Sequence, residues 1–548
     1  MDYITVVSYP RMFASRSNLL LGLVFLLILP GLFWGLPSAI SPQDDSPFPL
    51  GPLLFFAEYS KSHLDTIYPA FHQLLILPLY ALAFGVYWLA GGISHVSSTW
   101  PYGLRDVSAF FSVLMILTNL VSAIMAVLLL RASVPFVERS RKWLWFALLI
   151  IGTNGVFVYY ARVGNLDIPY NFWWALTLVG LWRYLIAGSP ARTSLVPAGI
   201  TAALAAGSKD QAVGLIIGAG FLLLLCAPAT SASLRDRIRS TFIFGLTVGV
   251  VYFIFAILPQ PVRWWSHARF VTSPHAPTQI PLSLTGEVQI FWVTLQQLRN
   301  VFGISLLALA VLGAVYLFRS GRGREFWILA LPLIGYYVVI IAKTRVAYPR
   351  FMLPFVFPIV VLVTHGVAWV ADHLENRNAQ VAWSVILCLY ICFNFVTSYL
   401  PVTYAQVFDL KRQLAKELPS LLPTGSGLLI SHMQSYEYPN SEVYEHYRLM
   451  KLPHEPIVPT SRHTASLFQP LDTEVGYYLW GTGTAGLPSN TPMPPMPLQG
   501  ELVKQWKYPN WVRNGVLVPC ILEFSLYRRT APLPLDYIPP PSKVSGVQ

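Results

Sequence analysis

The stretch SAISPQDDSPFPLGPLLFFAEYSKSHLDTIYPAFHQLLILP, residues 38–78, stands between two long apolar runs, and its reading decides the fold. It is punctuated by prolines and carries two adjacent carboxylates, Asp44 and Asp45, then Glu58, Lys61 and Asp65, before the chain turns apolar at Phe71. Upstream, residues 18–36 are apolar over the length that crosses a bilayer core of about 30 Å. That run is too long for a signal-peptide core, and no small-residue cleavage motif follows it. Arg11 and Arg16 precede it, which places its start in the cytoplasm. Residues 37–69 then form a first outer loop, and a charged loop in so apolar a chain points to chemistry.

Composition generalises this reading. Of 548 residues, 55% are hydrophobic and only 11% charged, too few charges to cover a soluble surface. The net charge of +12 would suggest nucleic acid in a soluble protein. In a polytopic membrane protein it marks cytoplasmic loops and contacts with lipid head groups. Cys226, Cys388, Cys392 and Cys520 show neither metal-ligand spacing nor a disulfide framework.

Further apolar runs occur at 70–92, 107–130, 143–160, 172–188, 195–228, 240–258, 302–318, 326–342, 351–371 and 381–400. The run 195–228 is broken by Gly-Ser-Lys-Asp at 207–210, so it reads as two short helices meeting at a polar turn. Four basic clusters fit the cytoplasmic side: Arg131 with Arg139, Arg141 and Lys142; Arg183 with Arg192; Arg235, Arg237 and Arg239; and Arg319, Arg322 and Arg324. The outer side then receives 161–171, 259–300, 343–350 and everything after about residue 400. A cytoplasmic N-terminus with an outer tail requires an odd number of spans, whereas the runs give twelve. The expectation is therefore 11–13 transmembrane helices, with 70–92 as the segment whose crossing is in question.

Beyond the last run the composition changes. Residues 404–418 read as an amphipathic helix, and 427–431, 475–482, 501–508 and 520–529 as strands separated by proline-rich connections. The expected organisation is a membrane domain over 1–404 and a small extracytoplasmic α+β domain over 405–548.

Charges at membrane depth, or on the side that disfavours Lys and Arg, single out candidate functional residues. In ARVGNLDIPY, residues 161–170, Arg162 and Asp167 either close a turn as an ion pair or stand at the rim of a cavity. In KTRVAYPR, residues 343–350, Lys343, Arg345 and Arg350 form a basic group with no intervening acid, suited to a phosphate or to lipid head groups. In the long outer loop, His267 and Arg269 follow Arg263-Trp-Trp-Ser. Lys209, at the broken helix, either satisfies the break with Asp210 or joins the anion site. No nucleotide-binding loop occurs, which argues against an ATP-driven pump.

These residues carry a resemblance. Asp44-Asp45 after the first span, Tyr68-Pro-Ala-Phe-His-Gln leading into the next helix, the Asp167-containing turn and Tyr348-Pro-Arg-Phe-Met-Leu-Pro resemble, in that order, the GT-C membrane glycosyltransferases of the protein mannosyltransferase and aminoarabinose transferase group. The resemblance covers about 1–400. It implies a polyprenyl-phosphate sugar as donor, a lipid, glycan or protein acceptor, no obligatory cofactor, and in some members a divalent metal (Mg, Mn or Zn) near the acidic loop, here at Asp44 or Asp45. On that basis Asp44 or Asp45 is the general base. Lys343, Arg345, Arg350 and Lys209 bind the donor phosphate, and Arg162, Asp167, His267, Arg269, Lys61 and Tyr68 line the site. The expected setting is the bacterial cytoplasmic membrane, with the active site outside. A transporter or flippase for an anionic lipid or solute is the alternative, since the broken helix at 207–210 resembles transporter sites.

Overall fold

The computed structural model describes residues 11–33, 69, 71–95, 103–226, 233–259, 261–272, 280–430, 448–451, 468–470, 475–485, 500–516 and 520–530. They fall into two units, one within 1–32, 47–86 and 117–399, the other within 33–46, 87–116 and 400–548.

The chain is a polytopic, mainly helical membrane protein. Among the described residues six helices are long and apolar enough to cross a membrane: Ser112–Arg131, Leu234–Ile257, Leu284–Arg319, Gly323–Thr344, Pro349–Asp372 and Arg377–Leu421. A seventh span arises if the pair Val134–Gly152 and Gly155–Arg162, bent by 71°, is counted as one. The apolar segments Ser17–Ile28, Leu74–Leu89 and Ala212–Leu225 are shorter.

In the first unit the helices that matter below are α1 (Arg11–Ile28), α2 (Phe71–Leu89), α3 (Leu144–Gly152), α4 (Gly155–Arg162), α5 (Asp167–Leu185), α6 (Ala191–Ser208), α7 (Ala212–Leu225), α8 (Leu284–Arg319), α9 (Gly323–Tyr336) and α10 (Val356–Asp372). The expected break in 195–228 is present, since α6 ends at Ser208 and α7 begins at Ala212. Within α8, Gly303 takes φ 74° and interrupts the helix just before its apolar half, a conformation that favours glycine. The bend between α3 and α4 frees backbone groups that neighbouring helices satisfy. Asn154 Nδ2 donates to the Val301 carbonyl (2.6 Å) and Asn154 Oδ1 accepts from Phe157 N (2.9 Å). Asn394 Nδ2 donates to the Ile150 carbonyl (3.2 Å) and to Thr153 Oγ1 (2.9 Å), and Gly155 N donates to Ser398 Oγ (2.8 Å). In lipid such groups have no water to turn to, so side chains must serve them.

Helix pairs approach closely wherever glycine permits. A Cβ on Gly313 of α8 would lie 1.9 Å from the Leu362 carbonyl oxygen of α10, and one on Gly366 would lie 2.0 Å from the Leu309 oxygen. Within a bilayer there is little hydrophobic drive for helices to associate, so this intimate backbone contact contributes to the cohesion.

The second unit contains a six-stranded mixed sheet. Its strands are β1 (Gly427–Ile430), β2 (Arg448–Lys451), β3 (Phe468–Pro470), β4 (Val475–Ala485), β5 (Gly500–Lys507) and β6 (Cys520–Arg529), in the order β3-β2-β1-β4-β6-β5. The β3-β2-β1-β4 side is parallel and β6 runs antiparallel to β4 and β5. α11 (Leu410–Leu421) packs on β5 and β6, burying Leu410, Leu414 and Leu418 at helical spacing. Trp506 Nε1 donates to Glu417 Oε2 at 3.0 Å.

Candidate functional site

The break between α6 and α7 is built by three residues. Lys209 leaves the helix in an extended conformation, φ −152° and ψ 123°, while its N–H still donates to the Ala205 carbonyl at 3.0 Å. Ala212 N and Val213 N then restart the helix on the Lys209 and Asp210 carbonyls, at 3.1 and 2.9 Å. At its rear, Gly207 lies against α2, since a Cβ there would meet Phe71 Cβ at 3.1 Å.

The extended backbone sends the lysine side chain across to α5. Lys209 Nζ is 2.6 Å from Asp167 Oδ1, and their side chains are 1% and 0% exposed. The ammonium also lies 5.8 Å from the centre of the Tyr170 ring. Asp167 opens α5, where the positive end of the helix dipole favours a carboxylate, and its N–H donates to Asn165 Oδ1 at 3.0 Å. A charge pair this deep persists only when both partners remain, because removing one strands the other.

Around the break lies a concentration of buried polar atoms with no hydrogen-bond partner among the described residues, Asp167 Oδ2, Gln211 Oε1, Trp173 Nε1 and His72 Nδ1, beside the buried hydroxyls of Tyr170 and Tyr336, which interact with each other. Tyr336, the last residue of α9, interacts electrostatically with Asp167, Asp210 and Arg350. Trp173 packs edge-on to Phe71 with ring centres 5.9 Å apart. Each orphaned buried group costs about 1–3 kcal/mol, so their gathering at one helix break suits a place where a polar ligand group is received.

The segment after α9 forms the second half of the candidate site. A π-helical turn, Tyr337–Ile341, and a short turn, Ala342–Thr344, lead to Arg345 in the left-handed region at φ 57°. Among the described residues Arg345 alone combines a side chain with positive φ, a conformation costing about 1–2 kcal/mol. Its side chain is 3% exposed, and its Nη2 donates to Glu287 Oε1. The Arg345 Nε and Nη1 have no partner among the described residues. Strain of this kind is tolerated where a side chain must be aimed. Lys343 is exposed, and the Arg350 guanidinium lies 5.7 and 5.9 Å from the Tyr348 and Phe351 ring centres.

Two pairings differ from those expected of sequence neighbours. Asp167 pairs with Lys209, not with Arg162, and Lys209 with Asp167, not only with Asp210. Arg162 turns to α1, where its Nε and Nη2 donate to the Ile28 and Leu27 carbonyls at 2.8 and 2.7 Å. Its guanidinium also lies 5.2 Å from the Tyr399 ring centre, and Tyr399 Oη donates to the Leu27 carbonyl at 2.8 Å. The basic group at 343–350, read as lacking a counter-ion, has one in Glu287. Arg269 is exposed and lies 5.2 Å over the Trp265 ring in the helix Pro261–Thr272, which also carries His267. Asp44, Asp45, Lys61, Tyr68 and the His267 side chain lie outside the described residues. Among the described residues no three His, Cys, Asp or Glu side chains gather as a metal site, and Asp44 and Asp45, the positions the resemblance implies for a metal, lie outside them.

Sequence reasoning passed over Glu287, Tyr170, Gln211 and Tyr336. Glu287 did leave a signal, as the one carboxylate in residues 237–324.

No protein-family model matches the chain, and no curated protein matches it in sequence. Solved structures do match. ArnT from Cupriavidus metallidurans bound to undecaprenyl phosphate is 12% identical over 94% of this chain and 98% of that one, with a TM-score of 0.51. Its apo form aligns over the same shares with a TM-score of 0.46. The Archaeoglobus fulgidus oligosaccharyltransferase in the apo form is 13% identical over 85% of this chain and 69% of that one, with a TM-score of 0.47. Taken with its membrane helices and terminal sheet, the chain has the fold of the GT-C membrane glycosyltransferases, the fold of ArnT.

Proposed function

We propose that this protein is a glycosyltransferase that moves a sugar from a polyprenyl-phosphate donor to a hydroxyl of a lipid, glycan or protein acceptor. The reaction takes place at the outer face of the membrane, in a bacterial cytoplasmic membrane. The observation that carries this reading is Arg345, a buried guanidinium on a strained backbone with two nitrogens unpartnered among the described residues, in a chain with the fold of ArnT. Arginine forks onto phosphate oxygens, and Arg350 and Lys343 add positive charge beside it.

In the proposed reaction Asp44 or Asp45 takes the proton of the acceptor hydroxyl, whose oxygen attacks the anomeric carbon. The bond from that carbon to the phosphate oxygen breaks, and the polyprenyl phosphate leaves with both electrons. One-step displacement inverts the anomeric centre. Arg345, Arg350 and Lys343 stabilise the charge that develops on the leaving phosphate. Lys209 enters differently. Its charge is already balanced by Asp167, so the pair acts as a neutral, rigid anchor for polar donor or acceptor groups and not as a bare cation. Arg162 shapes the rim by fixing the end of α1, while His267, Arg269, Lys61 and Tyr68 complete the approach. The displacement requires no cofactor.

Asp44→Asn and Asp45→Asn, made separately, test the base. Both variants are expected in the membrane at wild-type levels, with transfer lost in one. Full transfer by both removes the general base from the first outer loop. Mass spectrometry of copurifying lipid tests the donor, with a polyprenyl phosphate or its sugar adduct expected.

A further inference from the structure

We propose that the Glu287 carboxylate is a resident stand-in for the ligand's phosphate: it holds Arg345 in place and is displaced when the phosphate arrives. This deepens the reading above and rests on its placing of a phosphate at Arg345.

The two partners differ in a way that suits exchange. Arg345 is buried and fixed by a left-handed backbone after a π-helical turn, so it cannot follow a departing carboxylate outward. Glu287 is 48% exposed, and its side chain can swing into water with little change in solvation. Its backbone, in contrast, is rigid. Ser283 caps α8 by accepting from Gly286 N at 3.0 Å, Glu287 N donates to the Ser283 carbonyl at 2.9 Å, and a Cβ on Gly286 would lie 1.9 Å from the Pro281 oxygen.

The contact is also incomplete. Glu287 engages Nη2 alone, leaving Nε and Nη1 without partners among the described residues, although a guanidinium presents paired donors matched to two oxygens. A phosphate satisfies two N–H groups where the carboxylate satisfies one. Two anions on one guanidinium repel, so arrival of the phosphate drives Glu287 off. Tyr337 interacts electrostatically with both Glu287 and Arg345, and its neutral hydroxyl adds no competing charge. After transfer, the returning carboxylate helps expel the phosphate product. Glu287 thus sets affinity and release, as a competitor built into the chain.

The test is binding of undecaprenyl phosphate, and separately of inorganic phosphate, to the full chain in nanodiscs, comparing wild type, Glu287→Gln, Arg345→Gln and the double variant. Removing one partly exposed competing charge is expected to tighten phosphate binding roughly fivefold in Glu287→Gln. The gain should vanish when Arg345 is also replaced. A merely structural Glu287 gives the opposite sign, weaker binding, and either equal or weaker binding overturns the proposal. Tightening that survives loss of Arg345 overturns it too. Tightening of inorganic phosphate, with undecaprenyl phosphate bound by no variant, upholds the exchange at Arg345 and overturns the lipid-donor reading instead.

Discussion

Asp167 and Lys209 offer the sharpest measurement. Their atoms are 2.6 Å apart with side chains 0% and 1% exposed, so neither charge has water to fall back on. In Asp167→Asn the ammonium is stranded and in Lys209→Met the carboxylate, and removing one partner of a buried pair costs about 3–5 kcal/mol. The positive end of α5 offsets about 0.3–1 kcal/mol of this for the carboxylate. Each single variant should therefore lose about 3–4 kcal/mol, Asp167→Asn slightly more. The double variant carries no stranded charge and should recover most of the loss, a coupling of about 3 kcal/mol. Thermal unfolding of detergent-purified protein reads the order directly: double variant above either single one. A double variant as unstable as the sum of the singles would falsify the pairing. Transfer activity then separates anchor from scaffold. A double variant that is stable yet inactive supports a role at the reacting groups, whereas one that is stable and fully active removes the pair from the site.

Two further outcomes follow from packing. Gly313→Ala places a methyl 1.9 Å from the Leu362 oxygen, so α8 and α10 must separate by more than 1 Å, and a loss of about 1–3 kcal/mol should appear as a lowered unfolding temperature; an unchanged temperature refutes the close crossing. Arg162→Met leaves the Leu27 and Ile28 carbonyls without their donors, and hydrogen exchange should rise at the end of α1 while α5 stays protected. Equal protection of α1 in both proteins counts against the cap.

The membrane character of the chain was legible because lipid enforces one rule, long apolar runs, although among the described residues six helices meet the spanning length where the runs suggested twelve, and the broken helix announced itself by Ser208, Lys209 and Asp210 inside such a run. Four strands, β1, β4, β5 and β6, also stood out. β2 and β3 did not, at 4 and 3 residues, because a strand that short shows no alternation. The site was harder to read, because sequence adjacency is a poor guide to partners at membrane depth. Arg162 lies five positions from Asp167, and Asp210 lies next to Lys209, yet Lys209 finds Asp167 across 42 positions. Likewise Glu287 and Arg345 are 58 positions apart, and only a turn that forces Arg345 into the left-handed region brings them together. Pairings of this kind are decided by which helices pack, and local pattern carries no record of that.

The bend between α3 and α4 has a bearing on descent as well as on shape. Its five hydrogen bonds draw on side chains from three places, Asn154, Asn394 and Ser398. Loss of Asn154 or Ser398 leaves the Phe157 or Gly155 amide without its side-chain acceptor in lipid, whereas the Ile150 carbonyl keeps Thr153 Oγ1 as a second donor at 3.2 Å. Straightening the elbow would require abandoning all of them at once. Asn154 and Ser398 are therefore the two positions that a related chain with this elbow should keep, while Asn394 is the one open to exchange.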